Sequence, residues 1–136
     1  MKEYKIGMVA AEFNYDVTML MMERAKAEAA FLGVSITKTM MVPGVFEIPL
    51  AVKNMLEKDD VDAVITLGAV IKGETDHDQI VISQASRLVA DLALKYNKPV
   101  GFGITGPNMT QLQAVDRIEK GRDVVDAVVK MLQRMT

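Results

Sequence analysis

Residues 61–71 form an apolar run that ends abruptly in glycine, charge and the chain's single histidine. The run is rich in valine and isoleucine, and unbroken runs of this kind are typical of strands buried on both faces of a parallel sheet. Apolar residues then recur at helical spacing, which predicts a helix from Thr75 or Asp76 to about Lys95. His77 is therefore expected in the first helical turn, above the end of a strand. A strand followed at once by a helix is the repeating unit of an α/β sheet, which constrains the rest of the chain.

The remainder of the chain alternates in the same way. Strands are predicted at residues 4–10, 34–42 and 100–104, and helices at residues 14–32 (capped by Asn14 or Asp16), 47–58, 109–117 and from about 121 onward. The order β-α-β-α-β-α-β-α-α indicates right-handed crossovers and a four-stranded parallel sheet with helices on both faces. We expect one α/β domain covering residues 1–136, because a chain of this length buries a single core.

Composition excludes several classes of function. The net charge is −2 with acidic and basic residues interleaved, so we expect neither a nucleic-acid nor a membrane partner. The chain has no cysteine and one histidine, so we expect no metal site. It shows no signal peptide and no membrane-spanning run, which predicts a cytoplasmic protein. Half of the residues are hydrophobic and eleven are methionine; this favours surface buried between subunits, or methionines that fill an irregular core.

The predicted strand ends carry most of the unusual residues. Ligands of open parallel sheets bind outside the carboxyl ends of the strands, and these ends hold residues 12–14, 43–47, 72–78 and 105–108. Phe13 fits a ligand contact or core packing equally well. We interpret Phe46 as a packing residue or hydrophobic staple, and we expect Glu47 to complement the dipole of its helix.

His77 has two interpretations. In the first, Thr75 and Asp78 form a capping box and the histidine is an ordinary surface residue. In the second, the helix N-terminus binds a phosphate or carboxylate, and the imidazole beside it moves protons near neutral pH. This segment alone does not decide between the two.

Three segments are informative together: Glu12-Phe13-Asn14, Val-Pro-Gly-Val-Phe-Glu-Ile-Pro at residues 42–49, and Gly-Ala-Val-Ile-Lys-Gly-Glu-Thr-Asp-His at residues 68–77. With these segments the chain resembles lumazine synthase, and in particular its archaeal members. The resemblance covers essentially the whole chain. It implies a flavodoxin-like three-layer α/β/α sandwich without a metal or organic cofactor. It also implies homopentamers, often twelve to an icosahedral 60-subunit capsid, with active sites between neighbouring subunits.

The resemblance further implies a reaction in riboflavin biosynthesis. Members of the family condense 5-amino-6-(D-ribitylamino)uracil with 3,4-dihydroxy-2-butanone 4-phosphate to give 6,7-dimethyl-8-ribityllumazine, phosphate and water. An amine attacks the ketone to form an imine, phosphate leaves, and the second nitrogen closes the ring. Such a transferase must chiefly position its small-molecule substrates and transfer protons.

Site residues follow from the motifs by the same resemblance. Phe13 would stack on the pyrimidine, Asn14 beside it would also bind the substrate, and Glu47 would bind the ribityl hydroxyls. The backbone of Val45 and Phe46 would read the ring, and Val70 and Ile71 would line its pocket. The phosphate would be bound by Gly73, Glu74, Thr75 and Arg117. His77 would transfer the proton. Phe102 would cover the substrate of a neighbouring subunit, and Lys120 would bind near the substrate.

Some positions depart from the family pattern. Asp76 and Asp78 flank His77 where many members have threonine and an aromatic residue, and Glu74 replaces a small residue. These carboxylates would repel a phosphate unless they point away from it. The fourth strand is expected to close with Thr-Gly-Pro at residues 105–107, in place of a pair of threonines. The short connection after Arg117 is compatible with a capsid, so we expect a 60-mer.

Two other functions stay open from the sequence. An archaeal-type riboflavin synthase has this fold and part of the proline-glycine motif, but it acts on two lumazine molecules. A non-catalytic flavodoxin-like module would carry FMN or accept a phosphoryl group. Lys98-Pro99 resembles the lysine-proline pair of phospho-acceptor receivers, but no acidic cluster follows the first strand.

Overall fold

The computed structural model describes residues 3–71 and 77–136, with the backbone alone for residues 107–109 and 111. Four strands and five α-helices alternate along the described chain. They are β1 (Lys5–Ala11), α1 (Tyr15–Leu32), β2 (Ser35–Val42), α2 (Ile48–Leu56), β3 (Ala63–Ile71), α3 (Asp78–Tyr96), β4 (Val100–Met109), α4 (Gln111–Asp116) and α5 (Lys120–Met135). A 3-10 turn, Val45–Glu47, leads into α2.

The strands form one parallel sheet in the order β2-β1-β3-β4. β3 lies at its centre with all nine residues buried, as its unbroken apolar sequence predicts. Helices cover both faces. α1 and α5 pack on the face of Ile6, Met8 and Leu67, whereas α2 and α3 pack on the face of Val9 and Val64. The predicted flavodoxin-like α/β/α sandwich with a four-stranded parallel sheet is confirmed.

Helix ends agree with the sequence signals in several places. Gly33 ends α1 in the left-handed conformation (φ 74°), and its N–H bonds to the carbonyls of Ala29 and Ala30, as in common glycine C-caps. Pro49 lies in the first turn of α2, where a missing N–H costs nothing. The predicted apolar stripe of the last helix, from Val124 to Leu132, is buried.

Two boundaries differ from the prediction. β4 continues to Met109 instead of ending at Ile104, because a register shift after Ala69 and a positive φ of 125° at Gly106 carry the strand past the Thr-Gly-Pro segment. α3 begins at Asp78, so His77 precedes the helix and is not in its first turn. The capping box predicted between Thr75 and Asp78 lies partly outside the described residues.

Candidate active site

The boundary between β1 and β3 is the point where the strand order reverses. β2 lies on one side of β1 and β3 on the other, and the helices that follow β1 and β3 cover opposite faces of the sheet. The loops leaving these two strands therefore diverge and open a crevice beyond the carboxyl ends. Ligands of open α/β sheets bind in this crevice.

The β1–α1 loop forms one wall of the crevice. The N–H groups of Glu12 and Phe13 donate to the carbonyls of Val42 (2.7 Å) and Pro43 (3.2 Å), which ties this loop to the end of β2. The side-chain amide of Asn14 donates to the Ala69 carbonyl of β3 at 2.8 Å. The Phe13 side chain is 56% exposed. Its ring is thus not a core residue and is available to a flat ligand, which favours the first of its two interpretations.

The β2–α2 loop adds the second wall. Val45 is buried and packs over Gly68, where a methyl group would lie 3.3 Å from Val45 Cγ2. Glu47 is half-buried and its carboxylate folds back on Gly44, so that a methyl group there would lie 3.3 Å from Glu47 Oε1. A glycine inside an apolar strand often marks a place where another part of the chain packs closely on the backbone. Gly68 is such a glycine, within the apolar run of residues 61–71.

The packing interpretation of Phe46 is wrong. Its side chain is 71% exposed and lines an apolar groove of about 430 Å³ between α2 and α3, with Pro49, Leu50 and Leu88. The sequence motif could not reveal this exposure, because a phenylalanine beside a helix start usually packs inward.

The end of β3 supplies the floor. Val70 and Ile71 are buried, with Val70 in the core under α2 and α3 and Ile71 in the core under α1 and α5. Because both side chains are packed in the core, only the backbone at the end of β3 could contact a ligand. The predicted phosphate contacts Gly73, Glu74 and Thr75 lie outside the described residues. His77 is exposed at the start of α3, and its carbonyl accepts a bond from the Val81 N–H (2.9 Å).

A polar hollow of about 440 Å³ lies beside the end of β4. Two predicted cations, Arg117 and Lys120, line it together with Ile104, Thr105, Gly106, Asp116, Glu119 and Asp123. Glu119 pairs with Arg24 of α1 at 2.7 Å, which offsets one of the carboxylates. The sequence placed residues 105–108 at one of the strand ends where ligands of open sheets bind, and Thr105 and Gly106 do line this hollow. No local pattern indicated that Arg117 and Lys120 would face them.

Ala69 connects the crevice with the polar hollow. Its carbonyl accepts the Asn14 amide bond, and it pairs in register with Thr105 of β4. Gly106 follows at a φ of 125°, where a methyl group would lie 2.8 Å from the Val70 carbonyl oxygen. The stacking wall and the two cations thus adjoin the same end of β3.

Phe102 does not lie at this end of the sheet. It pairs with Thr66 in the middle of β3 and is half-buried against the core under α2 and α3. The structure therefore does not bring Phe102 to the crevice of its own chain. Its contribution to a neighbouring subunit stays a prediction.

Lys98 has a structural position that argues against a receiver-type function. Its ammonium group donates to the carbonyls of Leu56 (3.0 Å) and Lys58 (2.8 Å), where it caps the C-terminus of α2. It precedes β4, at the end of the sheet opposite the crevice. A lysine there cannot reach a ligand beyond the carboxyl ends of the strands.

The described part of the chain contains no cluster of three or more His, Cys, Asp or Glu residues suited to a metal ion. Within the same ranges, no helix is both long and apolar enough to cross a membrane.

Residues 3–136 match the family of 6,7-dimethyl-8-ribityllumazine synthase. The chain belongs to this family. Relatives of that name share 58% identity with this chain in Methanothermobacter thermautotrophicus, over 99% of this chain and 97% of the relative, and 55% in Methanocaldococcus jannaschii, over 96% and 92%. A relative in Picrophilus torridus is 54% identical over 95% of both chains.

Membership of the lumazine synthase family confirms the predicted resemblance to archaeal members and the predicted enzyme class, a transferase of riboflavin biosynthesis. The comparisons give no support to the riboflavin synthase or binding-module alternatives. A solved lactose-specific IIB component domain of the phosphotransferase system from Streptococcus pneumoniae covers 95% of this chain, and this chain covers 97% of it. Its TM-score of 0.42 and sequence identity of 10% are too low to indicate a relationship with this chain.

Proposed function

We propose that this chain condenses 5-amino-6-(D-ribitylamino)uracil with 3,4-dihydroxy-2-butanone 4-phosphate to 6,7-dimethyl-8-ribityllumazine, phosphate and water, in the cytoplasm. The observation that carries the proposal is the crevice between β1 and β3. It combines an exposed aromatic ring at Phe13, a carboxylate at Glu47 and a neighbouring polar hollow with Arg117 and Lys120. Each group suits one part of the two substrates.

The uracil substrate fits the crevice by chemical type. The Phe13 ring offers a stacking face for the pyrimidine. Glu47 is an acceptor-only side chain, which suits the hydroxyl groups of a ribityl chain, and Asn14 lies beside Phe13. The backbone of residues 45–46 and 70–71 would bind the polar edge of the ring, since the Val45, Val70 and Ile71 side chains are buried.

The ketone substrate fits the polar hollow because its phosphate needs cations. Arg117 presents a planar guanidinium suited to a bidentate contact with phosphate, and Lys120 adds a second positive charge. Gly73, Glu74 and Thr75 would complete the phosphate site with backbone N–H groups and a hydroxyl. The adjoining position of crevice and hollow would hold the uracil amine near the ketone carbon, and such positioning accelerates a bimolecular step strongly.

His77 would transfer protons during the reaction. Imine formation requires a proton for the departing water, and phosphate elimination requires removal of a proton from carbon. A histidine titrates near neutral pH and can serve both steps. His77 lies at the start of α3, two residues after Thr75 in the chain, so it would be close to the proposed phosphate contacts.

The proposal includes assembly into pentamers, and into a capsid of twelve pentamers. The apolar groove between α2 and α3 supports it, because Phe46 and Leu50 expose 71% and 75% of their surface there. Contiguous apolar patches on a folded chain mark protein interfaces. A neighbouring subunit over this groove would lie beside Val45 and Glu47, and would bring its Phe102 toward the site.

Sedimentation tests the assembly directly, since the monomer of 15.0 kDa is easily distinguished from a pentamer and a 60-mer. Leu50→Asp should dissociate the pentamer because it places a charge in the apolar groove. Phe31→Asp is the matched control, since Phe31 is 83% exposed on α1, in the opposite helix layer. A monomeric wild type contradicts the assembly.

Activity is tested by mixing the purified protein with both substrates and following lumazine absorbance and fluorescence against a protein-free control. Faster product formation supports the proposed reaction. Conversion of added lumazine to riboflavin, without faster lumazine formation, supports the riboflavin synthase alternative. Absence of both reactions contradicts a catalytic function.

A further inference from the structure

Asn14 precedes α1 in a left-handed conformation, and its side chain does not cap the helix. It occupies the N-cap position of α1, as predicted, but its side chain makes no capping bond. Its backbone is left-handed, with φ 62° and ψ 42°, which asparagine tolerates better than most residues. The Asn14 carbonyl accepts from the N–H groups of Val17 and Thr18, as the carbonyl of an N-cap residue ordinarily does.

The Asn14 amide forms a hydrogen bond across the crevice. Its Nδ2 donates to the Ala69 carbonyl of β3 at 2.8 Å, and this contact is part-buried. On the other side, the backbone bonds of Glu12 and Phe13 hold the same loop to the end of β2. Asn14 thus provides the side-chain link from the β1–α1 loop to β3, across the point where the strand order reverses.

The Phe13 ring depends on this link more than a core ring would. A buried aromatic is held by its neighbours, whereas Phe13 is 56% exposed and receives little restraint from packing. Its orientation therefore follows from the backbone of residues 12–14. Ala69 directly precedes Val70 and Ile71, so a shift at Asn14 changes the separation between the ring and the end of β3.

We propose that Asn14 is a positioning residue. Its side-chain amide donates a hydrogen bond to the Ala69 carbonyl, and this bond fixes the Phe13 ring over the end of β3. This differs from the direct substrate contact predicted for Asn14. The inference rests on the proposed function, because it assigns the ring to uracil binding.

Two substitutions separate the amide from the backbone conformation. Asn14→Gly keeps the left-handed conformation at no steric cost but removes the donor, and Asn14→Asp keeps the size and replaces the donor with an acceptor-only group. Both should raise the KM for ribitylaminouracil on the order of tenfold, the usual scale for one lost hydrogen bond. The KM for the butanone phosphate should change less than about twofold.

Asn97→Gly is the matched control. Asn97 is the other non-glycine residue with positive φ (53°) in the described chain, and it ends α3 away from the crevice. It should leave both KM values unchanged. Unchanged uracil KM in both Asn14 variants would overturn the inference. So would an equal rise of both KM values with a lowered Tm, since that pattern indicates a merely structural role.

Failure of the proposed function gives a different result. A wild type without turnover contradicts that function, and the link is then judged by hydrogen–deuterium exchange of the β1–α1 loop without substrate. Faster exchange in Asn14→Asp than in wild type, with Asn97→Gly unchanged, supports the link to β3. Equal exchange overturns it.

Discussion

Gly121 packs directly against the backbone of Met21, where α5 crosses α1. A methyl group at Gly121 would lie 2.1 Å from the Met21 carbonyl oxygen and 2.8 Å from its carbonyl carbon. Backbone atoms on both sides cannot yield as a flexible side chain can. This contact also fixes the start of α5, which carries Lys120 beside the polar hollow.

Gly121→Ala should therefore destabilise the protein. At an exposed helical position the same change stabilises by about 1 kcal/mol, because alanine favours helix. Here the clash should reverse the sign and cost about 1–3 kcal/mol, the usual scale for overpacking. Chemical denaturation measures the change, and a variant as stable as wild type would contradict the close crossing of α1 and α5. If the variant folds, the KM for the butanone phosphate should rise, since Lys120 moves with the helix.

Arg117→Ala should raise the KM for the phosphorylated ketone about ten- to a hundredfold, because it removes a charge-assisted contact. Arg117→Lys should recover only part of this loss, since a lysine cannot form the bidentate fork. Arg87→Ala is the control, because Arg87 bonds to Gln84 and Asp91 on the surface of α3. Steady-state kinetics with each substrate varied in turn gives the result; an unchanged KM in Arg117→Ala would remove Arg117 from the site.

Phe13→Ala should weaken uracil binding about five- to a hundredfold, the range expected for one stacked base. Phe31→Ala provides the comparison, since Phe31 is the more exposed of the two at 83% and lies at the far end of α1. Isothermal titration with the ribitylaminouracil measures the difference. Equal affinity in Phe13→Ala and wild type would mean that the ring does not stack on the substrate.

The sequence predicted the arrangement of the fold well, because its dominant signals were local. The buried run of β3, Gly33 after α1 and Pro49 at the start of α2 each have a local physical cause. Every element except β4 was found within a few residues of its predicted bounds. The extension of β4 could not be predicted. Thr-Gly-Pro is typical of a turn, and only the register shift after Ala69 keeps the segment in the sheet.

The site was predicted by motif but not in its internal contacts. The sequence placed Phe13 and Glu47 at strand ends and Arg117 at the end of a short helix. The structure brings Phe13 and Glu47 to neighbouring loops of one crevice. The Asn14 amide bond, the hollow at Thr105 and the exposure of Phe46 depend on tertiary packing. No periodicity or local motif encodes such relationships, because they join residues distant in the chain.

His77→Ala should lower kcat by roughly ten- to a thousandfold and leave uracil affinity nearly unchanged. The loss is expected to be partial because the ring closure has intrinsic reactivity and general acid-base catalysis contributes a limited factor. Ser83→Ala is a suitable control, since Ser83 is exposed further along α3. Single-turnover kinetics separates the chemical step from binding. A wild-type kcat in His77→Ala would remove the histidine from the chemistry.

The contact between Glu28 of α1 and Asp126 of α5 should make the stability of the protein depend on pH. The hydrogen bond to Asp126, together with burial and the negative charge of Asp126, raises the pKa of the Glu28 carboxyl, and Arg122 at 3.5 Å opposes this. The folded protein therefore holds the Glu28 proton to a higher pH than the unfolded chain, whose glutamate pKa is about 4.3. The resulting stabilisation is complete below that value and is lost as the pH rises through the folded pKa. Asp126→Asn removes the repulsion, so it should raise Tm by a few degrees at pH 7 and have little effect at about pH 4. Calorimetry at both pH values tests this, and an equal change in Tm at pH 4 and pH 7 would contradict the raised pKa of Glu28.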